Sequence, residues 1–288
     1  MQRFLSSVHA LAGERRLSRC VSLAGKAGAE GLNALWVTRR VLQRMGRRVI
    51  RVEPGLLRIE QRLRVSGVEI GTDVSGPACV YAVVHVRRGS VVYQHGEAGT
   101  HAPRRFALFL PPFGIVQASL DRCDVTSVAL AFRPLASDEL PQRAVLWLLD
   151  GPAPTSRIDV LERLRTADTP TNIGRDRNPA PLAANAKAVI DREYGASLEI
   201  ARIAARLHVS PAVLSRAFRR TYGMPPVRYR HHVRVMDALM QFAEGAAPVQ
   251  VFQDVGFDDL SRFYKIFRKV ACAPPGSYRP AISRNAKT

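Results

Sequence analysis

Between Leu56 and Phe132 the apolar positions come in short runs rich in Val, Ile, Leu and Tyr, broken by Gly, Pro and Asp. The runs are Leu56–Val65, Cys79–Val86, Ser90–Gln94, Phe106–Leu110, Ile115–Leu120 and Val125–Phe132. Strands separated by turn signals every ~8–12 residues predict a sandwich or barrel. The pattern then changes. Ser137–Leu149 places Leu140, Val145, Leu146, Leu148 and Leu149 where a helix would use them, and Ile158–Leu164 predicts a second helix. Residues 167–181 are polar and rich in Pro, Asn and Asp, and with few apolar groups to bury they read as a linker. From Leu182 onward the texture is helical: Leu182–Tyr194, Leu198–Leu207, Pro211–Tyr222, Pro226–Ala243, Val249–Val255 and Leu260–Ala271.

The helical region repeats itself. Phe218-Arg219-Arg220, followed by Pro225-Pro226-x-x-Tyr229-Arg230, returns as Phe267-Arg268-Lys269, followed by Pro274-Pro275-x-x-Tyr278-Arg279. Every pair is 49 positions apart, and the same offset aligns Leu214 with Phe263 and Arg216 with Lys265. Two copies of one small helical unit is the economical explanation.

Each copy has the grammar of a helix-turn-helix. In the first, Ile200, Ile203, Ala204 and Leu207 form an apolar stripe, with Ala204 small where two helices approach closely. His208-Val209 makes the turn, Ser210 offers a capping oxygen, and Pro211 suits the first helical position. Val213, Leu214, Ala217 and Phe218 then face inward, which leaves Ala212, Ser215, Arg216, Arg219 and Arg220 outside. In the second copy Gly256-Phe257-Asp258-Asp259 makes the turn and cap, and Phe263, Ile266 and Phe267 face in. Leu260, Ser261, Arg262, Tyr264, Lys265, Arg268 and Lys269 supply the outer faces. A single amphipathic helix is usually just a solvated one. Two tandem copies with basic groups at matched positions point to major-groove entry. Pro226–Ala243, at ~1.5 Å per residue, spans roughly 27 Å, a rod that can hold two such helices about one DNA turn apart.

Charge supports that placement. Of the 288 residues, 43 are Lys or Arg and 24 are Asp or Glu, a formal net charge of +19, which favours polyanionic partners. The excess lies at the ends. Residues 1–54 carry 11 basic and 3 acidic side chains, residues 55–181 carry 15 and 13, and residues 182–288 carry 17 and 8. The basic, acid-poor segment 1–54 is expected to be a partly disordered extension. No apolar run is long enough to span a bilayer, so no membrane association is expected. Cys20, Cys79, Cys123 and Cys272 are scattered without a C-x-x-C, which argues against a zinc site or a disulfide framework and fits a reducing cytoplasm.

Residues 182–280 resemble the DNA-binding domain of AraC/XylS-type transcription regulators. The stretches SLEIARIAARLHVSPAVLSRAFRRTYGMPPVRYR and VGFDDLSRFYKIFRKVACAPPGSYR carry the resemblance. It implies seven helices, binding to consecutive major-groove segments of double-stranded DNA, and transcription control through RNA polymerase. Carried over by position, the base-reading candidates are Ala212, Ser215 and Arg216, then Leu260, Ser261, Tyr264 and Lys265. Arg216 leads, since Arg bonds guanine in bidentate fashion. Ser210, Arg219, Arg220, Arg262, Arg268 and Lys269 are phosphate candidates, which position without specifying. Phe218, Phe267, Tyr229 and Tyr278 belong to the core. The second copy departs from the family at Pro248, Phe252, Ala271 and Cys272, so it is expected to start late or to pack differently.

Many members of that family carry a cupin-like β-barrel upstream, and the strand pattern of 56–132, within a domain at 55–166, is compatible with one. The whole is then an α+β multidomain chain: a β-barrel, cupin-like regulatory or dimerisation domain with trailing helices, followed by an all-α tandem helix-turn-helix (homeodomain-like) domain at 182–288. Pro112-Phe113-Gly114-Ile115-Val116-Gln117 resembles the cupin P-x-G-x-x-H turn, with Gln117 where a metal-binding His would stand. His85, His95 and His101 do not fall at that family's ligand spacing, so no metal and no cofactor are expected. A cupin-type metalloenzyme fused to a DNA-binding module would need converging His and carboxylate ligands. A DNA-repair alkyl-acceptor would need an activated thiol, and Cys79 and Cys123 show no supporting motif. Neither enzyme is favoured. The domain would bind a small effector, at residues the sequence does not reveal, or only hold a homodimer together. The Ser137–Leu149 helix, with Trp147, would mediate dimerisation or cover the barrel.

Overall fold

The computed structural model describes residues 45–278 apart from 96–97, 150, 169, 174–178 and 197–198. Most of the basic extension (1–44, with Cys20), the middle of the expected linker and Arg279 lie outside the described residues.

Two long strands organise the first half. β4 (Cys79–His95) and β7 (Ile115–Phe132) each fuse two of the expected runs, and they pair antiparallel along almost their whole length. The register slips between Val86 and Ser90. There Gly89, at φ 79°, lies so close to the carbonyls of Asp121 and Arg122 that a Cβ would strike them. β1 (Met45–Glu53) pairs β2 (Leu56–Arg64), and β2 pairs the last part of β7. β3 (Val68–Val74) pairs the first part of β7. β5 (Ala98–His101) and β6 (Arg105–Leu110) flank β4, β8 (Val145–Leu148) pairs β6, and β9 (Thr171–Asn172) pairs β8. The sheet runs β1-β2-β7-β4-β6-β8-β9. Among the described residues no pairing joins its ends, so the expected barrel is an open antiparallel sheet.

Three sequence expectations change. The helix expected over Ser137–Leu149 is not formed, and its last third is β8. The same residues satisfy a period of two. Leu146 joins the inner core, while Trp147 turns outward to meet Tyr81 edge-on at 5.7 Å. The segment read as an extension ends in β1, an edge strand that β2 had available. The expected linker contributes β9 and a fully buried Ile173. The second helix is present as α1 (Arg157–Arg165), capped by Ser156 and covering the outer face of the sheet through Val160.

The C-terminal half is helical: α2 (Pro181–Glu193), α3 (Ile200–Arg206), α4 (Pro211–Tyr222), α5 (Pro226–Ala243), α6 (Pro248–Asp254), α7 (Leu260–Ala271) and a final 3-10 turn, Pro275–Tyr278. Among the described residues this is six α-helices and one 3-10 turn, where seven helices were expected. α5 is more than a spacer. Val235, Met236, Leu239 and Phe242 extend the inner core of the sheet into the second helical unit. Gly76, at φ 59°, lets α5 approach so closely that a Cβ would sit 2.6 Å from that of Met236. Asp237 locks the contact. It accepts from Arg133 beyond β7 at 2.5 Å, from the Tyr194 hydroxyl at 3.1 Å and from Gln241 at 3.3 Å, and Arg133 also reaches Glu244 at 2.8 Å.

Candidate nucleic-acid interface

α4 and α7 are built alike. Each is 12 residues long, and they begin 49 positions apart. Ser210 accepts from the Val213 amide at 3.3 Å and Asp259 from the Arg262 amide at 2.5 Å, so each helix opens on a side-chain cap three residues upstream. Each closes on a left-handed residue, Gly223 at φ 74° and Cys272 at φ 56°, whose amide returns to the carbonyl of Arg219 or Arg268.

One apolar face anchors each helix. Leu214 and Phe218 are fully buried against α2, α3 and Tyr229. Phe263 and Phe267 are fully buried among Phe252, Phe257, Phe242 and Tyr278. The four aromatic residues assigned to the core are there. Val213, expected inside, is 38% exposed, because Ser210 starts the helix one step ahead of its inward face.

The opposite faces carry the expected site residues. Ser210, Ala212, Arg216, Arg219 and Arg220 are exposed and Ser215 is half-buried. Leu260, Ser261, Arg262, Tyr264, Lys265, Arg268 and Lys269 are all exposed. The structure therefore brings the thirteen into two helix faces. Among the described residues no carboxylate lies within ion-pair distance of Arg216, Arg219, Arg262, Lys265, Arg268 or Lys269. Elsewhere Arg62, Arg133, Arg157, Arg163 and Arg206 are all paired.

Behind α7 the positive field deepens. Burial, then Arg230, Arg234, Arg262 and Lys269, push the His231 imidazole down to about 4, so it is neutral at pH 7. Burial and the neighbouring Arg262 also lower Arg230. Burial and Arg230 bring Arg234 down to about 10, so it stays charged at neutral pH. Arg234 lies 5.2 Å above the Phe257 ring and donates to the carbonyls of Tyr194 and Ala196 at 2.6 and 2.9 Å. It thereby ties the end of α2 to the turn of the second unit. Sequence reasoning passed over this junction. Its local signal is the pair Gly195 and Gly256, where a side chain on Gly256 would strike the Gly195 carbonyl.

The departures in the second copy resolve locally. Pro248 opens α6 as its first residue, α6 is as long as α3, and Phe252 packs on Phe263 at 6.4 Å. The second unit does not start late. In the sheet, His85 and His101 are exposed, Gln117 is buried opposite Thr72, and the side chain of His95 lies outside the described residues. Among the described residues no three His, Cys, Asp or Glu side chains could jointly hold a metal ion, and no helix is long and apolar enough to cross a membrane.

A family model described as a helix-turn-helix domain matches residues 203–281. The arabinose operon regulatory protein of Escherichia coli (strain K12) is 29% identical over 92 residues, 32% of this chain and 32% of that protein. A putative AraC-like transcription regulator of Streptomyces lividans is 31% identical over 100 residues, 34% and 33% of the two chains. The chain thus matches about a third of the length of these curated relatives. Among solved structures, the C-terminal domain of AraT, a response regulator from Geobacillus stearothermophilus, is similar at 23% identity and TM-score 0.35, covering 39% of this chain and 95% of that one. Unsaturated fatty acid bound wild-type ToxT from Vibrio cholerae strain SCE256 is similar at 12% identity and TM-score 0.40, covering 73% and 93%. Residues 203–281 thus match a helix-turn-helix domain, and about a third of the chain is similar to AraC-type regulators.

Proposed function

We propose that this protein is a sequence-specific DNA-binding transcription regulator that inserts α4 and α7 into consecutive major-groove segments. The observation that carries the proposal is the pair of similarly capped helices, 49 residues apart, on which Arg216, Arg219, Arg262, Lys265, Arg268 and Lys269 have no carboxylate within ion-pair distance among the described residues. Arg216 would bond guanine, Ser215, Ser261 and Lys265 other base edges, and Ala212, Leu260 and Tyr264 the thymine methyl. Ser210, Arg219, Arg220, Arg262, Arg268 and Lys269 would grip phosphates. Residues 182–288 form the DNA-binding part in this proposal, and 55–166 the regulatory part, responding to a small effector or holding a homodimer, with 167–181 between them. The named relatives are regulators, and contact with RNA polymerase comes to this chain from that likeness.

Selection of a randomised duplex pool by the full chain at near-physiological salt tests the proposal. Two short enriched blocks about one helical turn apart are expected. Arg216→Ala should then cost roughly 1–3 kcal/mol at the selected site and relax preference at one base pair, whereas Lys269→Ala should weaken all sequences alike. Salt-sensitive binding with no enriched motif would overturn base reading. For the effector, a rise in melting temperature with one member of a metabolite panel is the expected sign.

A further inference from the structure

The sheet domain is nearly neutral in total, yet its charge is segregated. Direct cross-strand neighbours share a face of a sheet. The register places Arg62, Thr126, His85 and Arg105 in one row across β2, β7, β4 and β6, and Arg64, Asp124 and Arg88 in the next. Arg87 joins them, since it helps hold the Asp124 carboxyl below the usual carboxylate range, after the Arg62 hydrogen bond and with Arg64. Arg104 lies on the same bend, donating to the Val86 carbonyl at 3.4 Å. Six arginines thus share this end of the sheet with one carboxylate, Asp124, which Arg62 holds at 2.5 Å and Arg64 approaches at 3.7 Å. The next carboxylates, Glu60 and Asp121, are already in ion pairs with Arg58 and Arg122. Arg64, Arg87, Arg88, Arg104 and Arg105 are all exposed.

Without these six arginines and Asp124, residues 55–181 hold 9 basic and 12 acidic side chains. The patch therefore stands out against an acidic remainder. Residues 1–44 add no net negative charge to meet it, with 8 basic side chains against Glu14 and Glu30. An array of exposed guanidinium groups, planar and permanently charged, suits phosphate oxygens above all.

We propose that this face of the sheet domain is a second DNA contact, one that grips the phosphate backbone of duplex outside the segments taken by α4 and α7. It reads no sequence. Its role is to add affinity and to fix how the sheet domain lies along the DNA. The proposal rests on the DNA-binding function above, and its test separates the two.

The experiment compares the full chain with Arg64→Ser/Arg87→Ser/Arg88→Ser on three duplexes: the selected site alone, the same site with about two extra turns on each side, and a long duplex lacking the site. The parent is expected to bind the extended site at least tenfold tighter than the short one. The variant should keep the same selected motif and melting temperature but lose that gain. Its log-affinity on the long duplexes should fall less steeply with log salt, by about 0.9 for each phosphate contact removed. The corresponding Lys variant, which keeps the charge, should restore the slope. A variant equal to the parent on both long duplexes overturns the proposal and leaves the patch to an acidic protein surface. Absence of any selected motif defeats base reading by the helices instead, and the duplex without a site still scores the patch.

Discussion

The two helical units share a plan but not a foundation. The first swings into its reading helix through four residues, 207–210, with His208 in the left-handed region at φ 54°. The second takes five, 255–259, with Gly256 there at φ 85°. The first unit shares a smaller core with α2, to which the sheet adds only Val74 and Ile115, with Phe113 meeting Tyr194 at 6.2 Å. The second shares one continuous apolar core with the inner face of the sheet. Residue choice follows. His208 is exposed and could be replaced, whereas a side chain at Gly256 would strike the Gly195 carbonyl. The exposed turn of the first unit has room for a strained residue at its surface. The turn of the second is closed off by Gly195, in the loop after α2.

The sharpest way to break the comparison removes what both units share. Asp237→Ala should cost about 3 kcal/mol, because it removes the buried carboxylate that Tyr194 donates to and leaves Arg133 only Glu244. Denaturant unfolding checks this, and a loss under ~1 kcal/mol would mean that water replaces the carboxylate at no real cost.

Turn substitutions should differ in sign. Gly256→Ala is expected to destabilise by roughly 2 kcal/mol, from the left-handed backbone and the clash together. His208→Gly should leave stability unchanged or raise it by up to ~1 kcal/mol, since Gly holds a positive φ without steric penalty. Equal losses from the two would erase the distinction between the turns.

Acid should act through the second unit. Burial and the surrounding cations lower the folded His231 imidazole from 6.5 to about 4, while the unfolded chain titrates near 6.5. Between those values the unfolded state binds the extra proton. The stabilisation is therefore complete above pH ~6.5 and lost as pH falls toward 4. His232, fully buried, acts in the same direction, down to about 3. Unfolding curves at pH 7 and pH 5 should show the loss, and His231→Asn should shrink the difference.

Smallest are the caps. Ser210→Ala and Asp259→Ala should each cost ~1 kcal/mol, the Asp more, since its bond is shorter and charge-assisted.

The helical half was largely legible before any coordinates. A cap, a first-turn Pro, a stripe at i, i+3 and i+4 and a closing turn all act within about a dozen residues. The thirteen expected DNA contacts are the positions left over when that stripe is turned inward. Val213 was misplaced because a helix's phase is set by its cap, and a shift of one step moves a residue across the boundary. The sheet was less legible. Val68–Val74 went unnoticed because Gly71 and Asp73 look like turn residues until β7 pairs with them. Ser137–Leu149 suited two periods equally, and only the free edge of β6 chose between them.

The sequence by itself determined the tandem repeat, the caps, the buried aromatic anchors and the exposed cations of α4 and α7, because each depends on neighbours along the chain. Tertiary structure alone decided the rest. Arg133 finds Asp237 across 104 positions, and Gly256 meets Gly195 at the junction of the two units. The arginines of β2, β4 and β6, dispersed in sequence, gather at one end of the sheet. Contacts of this kind form only when distant segments are brought together at a loop-closure cost, and no local pattern encodes which segments those will be.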